Sequence, residues 1–177
     1  DGHKTPQNIH FTFGTSLHET IQEYLIKLYG NENLSSWDIH GFFLKTFTNL
    51  YKEKSQQEGH HSTPEELKEF ANDGLNIIDF FLENKDKYYQ PHFKLLGIEM
   101  PLLHPPHSNF PTVKFYGKLD VVLYDPDEEI VIIEDIKTST AGWNKYQKQD
   151  KIKISQLPLY KRYFQEVYGI SVKHIDV

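Results

Sequence analysis

The sequence contains no cysteine among its 177 residues. Disulfide bonds, thiolate zinc sites, cysteine-ligated iron–sulfur clusters and a cysteine nucleophile are therefore excluded. A glycine-rich phosphate loop, a Gly-x-Ser-x-Gly turn and a His-Glu-x-x-His helix are also missing, which argues against the enzyme classes that need them. No apolar run reaches membrane-spanning length, and the N-terminus shows no signal-peptide pattern. We therefore expect a soluble, cytoplasmic protein.

The length and composition that are present fit one globular domain with a substantial core. Aromatic residues make up 14% of the chain, with 11 Tyr and 12 Phe. The sequence starts without Met and stops at Val177 inside a predicted strand, which is consistent with a fragment of a longer chain.

The formal net charge of -6 argues mildly against indiscriminate coating of nucleic acid, but the charges are unevenly distributed. Residues 144–153 are locally basic and include one aromatic ring: Lys145, Tyr146, Lys148, Lys151 and Lys153. Such a segment can follow a phosphate backbone and stack a base. A solvated loop or helix face explains the same composition equally well, so both interpretations stay open.

Two runs rich in Val, Ile and Tyr flank the turn signal at residues 125–129 and predict an antiparallel hairpin. A turn centred on Asp127 and Glu128 sets Asp120 opposite Asp135 on one face, and alternation places Lys137 on that face too. The second strand is apolar on both faces, so we expect it to be central and buried. Buried carboxylates need a metal or a charge partner to offset desolvation. The hairpin therefore predicts a divalent-metal site.

The remaining pattern predicts an α/β protein in which helices flank a small mixed sheet, a three-strand antiparallel meander plus a further strand. We expect a helical portion over residues 14–88 and an α/β core over 92–177, in one domain. Ser16 and Glu19 match a capping box that would start the first helix at Ser16. The other predicted helices span 38–53, 63–88 and 155–168, with a loop over 54–61. The predicted strands span 92–100, 113–124, 130–137 and 170–177, with loops over 103–111 and 138–144 and a glycine C-cap at Gly169.

Five short motifs then occur in one order between Gly14 and Tyr160. They are Gly14-x-x-x-His18-Glu19, Glu99 in a strand after Gly97, Gly117-x-x-Asp120, Asp135-x-Lys137-Thr138-Ser139, and Gln156-Leu157-x-x-Tyr160. Each motif is weak alone, but the ordered set resembles the PD-(D/E)XK nuclease superfamily, and within it the RecB-type exonuclease branch. Some relatives in that branch carry an iron–sulfur cluster, which this cysteine-free chain cannot bind through thiolates.

The resemblance implies a restriction-endonuclease-like core and a divalent-metal-dependent DNA exonuclease acting in recombination, repair or phage DNA processing. The implied cofactor is one or two Mg²⁺ or Mn²⁺ ions, and the implied partners are single-stranded DNA or duplex ends, together with helicase or recombination proteins. The implied setting is a bacterial or phage-infected cell.

The resemblance also assigns roles to individual residues. The implied metal ligands are His18, Glu99, Asp120, Asp135 and the backbone carbonyl of Ile136. Lys137 would orient the attacking water or stabilise negative charge in the transition state. Gln156 and Tyr160 are four apart and lie on one helical face. Gln156 would hydrogen-bond a phosphate or hold Lys137, and Tyr160 would stack on or orient a ligand. Thr138 and Ser139 would contact DNA, as would the basic segment.

The same residues could also have purely structural roles, and those interpretations stay open. Asp120 and Asp135 could be satisfied by backbone donors or lysines, His18 could be a packed histidine, and Tyr160 could belong to a core stripe with Leu157. Two other functions also stay open: a non-catalytic nucleic-acid-binding module of the same fold, and a sequence-specific endonuclease. The intact Asp120, Asp135 and Lys137 set argues against the first, because a binding module has no use for paired acids facing a phosphate.

Overall fold

The computed structural model describes residues 9–58, 62–104, 115–137 and 151–177. Their contacts divide the chain into two compact units. The helical unit extends to Tyr89 and also takes in Lys137, whereas the α/β unit contains Gln90–Ile136 and the described residues 151–177. The assignment of the whole chain to one domain stays a prediction.

The helical unit contains three α-helices, α1 (Ile9–Tyr29), α2 (Ile39–Glu58) and α3 (Pro64–Asn84), in the part of the chain described. The start predicted for α1 at Ser16 is wrong, because Ser16 is fully buried inside the helix. Its hydroxyl donates to the Thr12 carbonyl at 2.7 Å, and the Thr20 hydroxyl donates to the Ser16 carbonyl in the same way. These serine and threonine hydroxyls are thus satisfied by the preceding turn and do not cap a helix start.

The other helix boundaries are nearer to prediction. α2 continues to Glu58, so the loop predicted over residues 54–61 is wrong for residues 54–58. Residues 59–61 lie outside the described residues. α3 begins as predicted, with Pro64 following the N-cap Thr63 in a capping box with Glu66. It ends at Asn84 in a short 3₁₀ turn, four residues before the predicted end.

Aromatic side chains fill the core of the helical unit. Phe13 on α1 meets Phe43 and Phe47 on α2 edge-on, and the rings of Phe43 and Phe47 stack nearly parallel at 5.9 Å between centroids. Gly74 on α3 lies against the Phe43 ring, where a Cβ would overlap it. A residue without a side chain is therefore required there for α2 and α3 to approach.

The α/β unit is built on four strands in the described residues: β1 (Lys94–His104), β2 (Phe115–Asp125), β3 (Ile130–Glu134) and β4 (Ile175–Asp176). They lie in the order β1-β2-β3-β4, antiparallel between the first three and parallel between β3 and β4. The prediction of a mixed α/β fold with a small mixed sheet and helices is confirmed. β3 is also central, between β2 and β4, as expected from its apolar faces.

Helix α4 (Lys151–Tyr168) closes the core of this unit. Tyr160 and Phe164 on α4 pack with Leu102, Val122 and Ile133 from the sheet. The predicted helix start at Ser155 is wrong, since the helix already begins at Lys151 and Pro158 lies inside it. Gly169 follows it with a φ of 72° and donates to the Gln165 carbonyl, which confirms the predicted glycine C-cap.

The strand ends also differ from prediction. β1 continues through Leu103 and His104, where a loop was expected, and residues 105–114 lie outside the described residues. β3 stops at Glu134, so Asp135 and Lys137 follow the strand instead of lying in it. The last strand is only two residues long, after a 3₁₀ turn at Val172–His174. In the described parts of the chain, none of the helices combines the length and apolar character needed to cross a membrane.

Candidate active site

The two aspartates of the hairpin are placed by the pairing of β2 with β3. The last pair of that ladder is Val121 with Glu134, which is the predicted register; Asp120 is the next residue of β2 and Asp135 directly follows β3. The backbone N–H of Ile136 donates to Oδ2 of Asp120 at 2.7 Å. This hydrogen bond fixes the half-buried Asp120 carboxylate at the point where β3 ends.

Glu99 reaches the same place from β1. Its neighbours Ile98 and Met100 pair with Val121 and Leu119, which puts Glu99 opposite Asp120. Glu99 and Asp120 each offer a carboxylate oxygen, and these atoms lie within 4.8 Å of each other. The sheet therefore brings together two acids that are twenty-one residues apart in sequence.

The backbone of Glu99 is strained. Its φ is 50°, in the left-handed region that residues with a Cβ rarely adopt, and the β1–β2 register shifts just before it, between Leu95 and Gly97. Such a conformation costs on the order of 1–3 kcal/mol and persists only where the surrounding structure imposes it. Strain at an acid that faces a second acid is typical of a functional position.

Lys118 is the cation of this group. Its Nζ lies 3.2 Å from Oε2 of Glu99, and both side chains are about half exposed to solvent. Lys118 precedes Asp120 by two residues on β2, so the two side chains leave the strand on the same side. Lys118 was not among the site residues predicted from sequence. Its pairing with Glu99 becomes visible in the register between β1 and β2.

Gln156 and Tyr160 lie one turn apart on α4 and contact Asp135. The Gln156 side-chain amide donates to Oδ1 of Asp135 at 3.4 Å and to the Tyr160 hydroxyl at 2.5 Å. Tyr160 is buried in the core, so its hydroxyl needs a polar partner, which Gln156 provides. The ring of Tyr160 packs in the core, as its structural interpretation expects, and its hydroxyl accepts from the Gln156 amide; its role in the site stays a prediction.

The donor chemistry of this acidic site fits a hard divalent cation. Carboxylate oxygens are the ligands that Mg²⁺ and Mn²⁺ prefer, and partly buried acids keep their charge more readily beside a cation. Glu99 and Asp120 are the pair whose oxygens are close enough to share one ion. Asp135 lies outside the 4.8 Å group, with an oxygen turned to Gln156. The role of Asp135 as a metal ligand stays a prediction.

The other predicted site residues are placed as follows. His18 is half-buried on α1 and Lys137 is exposed, and both fall in the helical unit, so their convergence with the acids stays a prediction. Ile136 engages Asp120 through its N–H, and its carbonyl as a ligand stays a prediction. Five of the predicted DNA contacts lie outside the described residues: Thr138, Ser139, Lys145, Tyr146 and Lys148. Lys151 and Lys153 lie in the first turn of α4.

A second cluster was missed by the sequence analysis, which gave His92 no role. Nε2 of His92 lies 3.4 Å from Oδ1 of Asp125 and 3.6 Å from Oδ2 of Asp127. The signal was available in the hairpin pairing, since β1 and β2 pair Lys94 with Tyr124 and so bring residue 92 to the β2–β3 turn. The cluster ties the chain before β1 to that turn.

Comparisons with family models, with curated proteins and with solved structures find no match to this chain. The resemblance to the PD-(D/E)XK superfamily therefore stays a prediction carried by the five motifs.

Proposed function

We propose that this protein is a divalent-metal-dependent deoxyribonuclease with a restriction-endonuclease-like core, acting as an exonuclease of the RecB type. The observation that carries the proposal is the approach of the Glu99 and Asp120 carboxylates to within 4.8 Å, at a Glu99 held in a strained conformation. Two neighbouring carboxylates can bind a divalent cation, and that cation can bind a phosphate oxygen of the substrate at its remaining positions. The hydrogen bond from Gln156 to Asp135 adds support, because it links the last of the five motifs to the core pair.

Glu99 and Asp120 would hold the cation, with Asp135 joining after a side-chain movement. A divalent ion bound there would supply stabilisation of the negative charge that develops on the phosphate oxygens. Asp120 is suited to this role because one of its oxygens is already fixed by the Ile136 N–H, which leaves the second oxygen oriented. Preorganised groups of this kind add no reorganisation cost during the reaction.

The chain's own residues would then carry out hydrolysis in one displacement. A water molecule attacks the phosphorus in line and gives up a proton to solvent, the bond from phosphorus to the leaving oxygen breaks, and that oxygen takes a proton from solvent. Lys137 would orient the water or stabilise the transition state, as the resemblance implies. Gln156 would hold Asp135 in place through its amide, and Tyr160 would hold Gln156. The basic segment 144–153 would follow the DNA backbone.

The test is cleavage of end-labelled single-stranded and duplex DNA with Mn²⁺, with Mg²⁺ and with chelator. Asp120→Asn is the informative variant, because an amide oxygen can still accept the Ile136 N–H while the charge is lost. We expect at least about a hundredfold slower cleavage, as several kcal/mol of charge stabilisation depend on the ligand. Asp176→Asn, an exposed aspartate on β4, is the matched control and should cleave like wild type. Equal rates for wild type and Asp120→Asn would refute the proposal.

The same assay separates the alternatives. An exonuclease releases short products from linear DNA and leaves covalently closed circles intact, whereas an endonuclease cuts circles as well. DNA binding without cleavage by wild type under every metal condition would support the non-catalytic module instead.

A further inference from the structure

The ion pair between Lys118 and Glu99 contributes little to folding. The Lys118 side chain is 53% exposed and that of Glu99 is 41% exposed. Exposed pairs of this kind stabilise a protein by about 0–1 kcal/mol, because solvent screens them and both side chains lose freedom. Stability alone therefore does not account for a lysine placed at a strained acid.

The position of Lys118 relative to the acids is more informative. Lys118 and Asp120 leave β2 on the same side, and Glu99 approaches both from β1. The ammonium thus lies at the rim of an acidic pair. A nucleic-acid strand that places a phosphate on this pair passes the rim, because successive phosphates are only a few ångströms apart along the backbone.

Charge decides which partner Lys118 has. Two neighbouring carboxylates repel a phosphate, and the ammonium of Lys118 offsets part of their negative charge. A divalent cation on the acids would neutralise them and compete with Lys118 for Glu99. The ammonium, at a half-exposed position, is then available to a phosphate oxygen, which it binds as a point charge.

We propose that Lys118 exchanges partners: it pairs with Glu99 in the free protein and with a backbone phosphate of the DNA strand in the complex. Lys118 is thereby a substrate-binding residue and, through Glu99, a competitor of the metal. This inference rests on the proposed nuclease function. It makes two predictions of opposite sign, because removing the ammonium should weaken DNA binding and tighten metal binding.

The experiment compares wild type with Lys118→Met, which keeps the length of the side chain, and with Lys118→Arg, which keeps the charge. Lys94→Met is the matched control, an exposed lysine at the other end of the same hairpin. Binding of a fluorescent single-stranded oligonucleotide is measured with chelator and with Ca²⁺ over a range of KCl concentrations. Mn²⁺ binding without DNA is measured by calorimetry.

For Lys118→Met we expect the slope of log affinity against log salt to fall by about 0.7 for single-stranded DNA, the value for one lost phosphate contact. Mn²⁺ binding should tighten by roughly two- to tenfold as a neighbouring positive charge is removed. Lys118→Arg should retain the wild-type slope, and Lys94→Met should match wild type in both measurements.

An unchanged salt slope in Lys118→Met, while wild type still cleaves DNA, would overturn the phosphate contact and leave the nuclease proposal standing. A reduced slope in Lys118→Met, found together with a wild-type protein that binds DNA but never cleaves it, would support the contact and refute the nuclease proposal. Absence of DNA binding by wild type would overturn both.

Discussion

Replacing Glu99 by glycine should leave the free energy of unfolding unchanged and slow DNA cleavage by at least about tenfold, which separates the effect of backbone strain from that of side-chain packing. Two glutamates have left-handed backbones: Glu99, with a φ of 50°, and Glu129 in the β2–β3 turn, with a φ of 55°. Glycine adopts this region without strain. Glu129→Gly is therefore a matched control that relieves the same strain away from the acids.

The magnitude follows from three contributions. A left-handed residue with a Cβ costs about 1–2 kcal/mol, which glycine recovers. Glycine loses about 0.5–1 kcal/mol more chain entropy on folding. Glu129→Gly should therefore gain roughly 0.5–1 kcal/mol, a rise in melting temperature of about 1–4 °C for a chain of this size. Glu99→Gly also loses the exposed pair with Lys118, worth about 0–1 kcal/mol, so its net change should lie near zero.

The assay pairs urea unfolding with metal-dependent DNA cleavage. Glu129→Gly should be more stable and fully active, whereas Glu99→Gly should be as stable as wild type and at least about tenfold slower. Glu99→Gln keeps the strained backbone and loses the charge, so it should be slow without any gain in stability. A loss of more than about 1 kcal/mol in Glu99→Gly alone would mean that its side chain holds the fold, and the strain argument would be wrong. Full cleavage by Glu99→Gly would remove Glu99 from the ligand set.

Four further predictions concern the folded chain. Gly74→Ala should destabilise the helical unit by about 1–2 kcal/mol in chemical unfolding, because overlap with the Phe43 ring outweighs the gain in helix propensity; Phe43→Leu in the same chain should recover part of this loss, and additive effects would argue against the overlap. Thr63→Ala should cost about 1 kcal/mol through loss of the α3 cap, measured by the same unfolding. Burial raises the pKa of Tyr24, so the stabilisation that its neutral hydroxyl contributes is complete below the unfolded pKa near 10 and is lost as pH rises through the folded pKa. Above about pH 10, Tyr24→Phe should therefore lose less stability than wild type when unfolding is followed by circular dichroism. Identical pH profiles for the two proteins would contradict this. Mn²⁺ at a hundred times its dissociation constant should raise stability by about 2.7 kcal/mol while chelator leaves the far-ultraviolet spectrum unchanged, and loss of sheet signal on chelation would contradict a preformed site.

The register of the β2–β3 hairpin could be predicted from sequence because it depends on few things. The turn signal at residues 125–129 fixes the centre, and the two-residue period of the strands then fixes the faces. The capping box of α3 was equally local, since Thr63, Pro64 and Glu66 carry all of it. Where a contact is determined by neighbours in sequence, the pattern sufficed.

The start of α1 shows how a local pattern misleads. Ser16 and Glu19 match a capping box, yet Phe13 and Leu17 already follow helical spacing and are buried on one side of α1. Tertiary burial of that apolar face extends the helix upstream, and the Ser16 hydroxyl bonds to the preceding turn. Propensity and capping are weak compared with the burial of an aromatic side chain.

The parts of the site that escaped prediction depend on the sheet as a whole. No periodicity reveals the left-handed backbone of Glu99 or the register shift that precedes it between Leu95 and Gly97. The pairing of Lys118 with Glu99 depends on that same shift, because displacing β1 by one residue would move Glu99 to the other face. Glu99 could be identified as a candidate ligand from sequence, whereas its strained backbone and its pairing with Lys118 could not be predicted.

The three acids of the site, Glu99, Asp120 and Asp135, are each restrained by a different kind of contact. A backbone N–H holds Asp120, a strained dihedral and a lysine hold Glu99, and an amide on α4 holds Asp135. The first restraint engages Oδ2 of Asp120 from the backbone and holds the carboxylate in place. The second and third place an ammonium or an amide on a carboxylate that an ion would also attract. Metal binding would then be ordered, with Asp120 as the fixed ligand. Glu99 would have to release Lys118, and Asp135 would have to release Gln156, before each could bind the ion. Asp120 should therefore govern whether the ion binds, and the other two acids should govern how tightly.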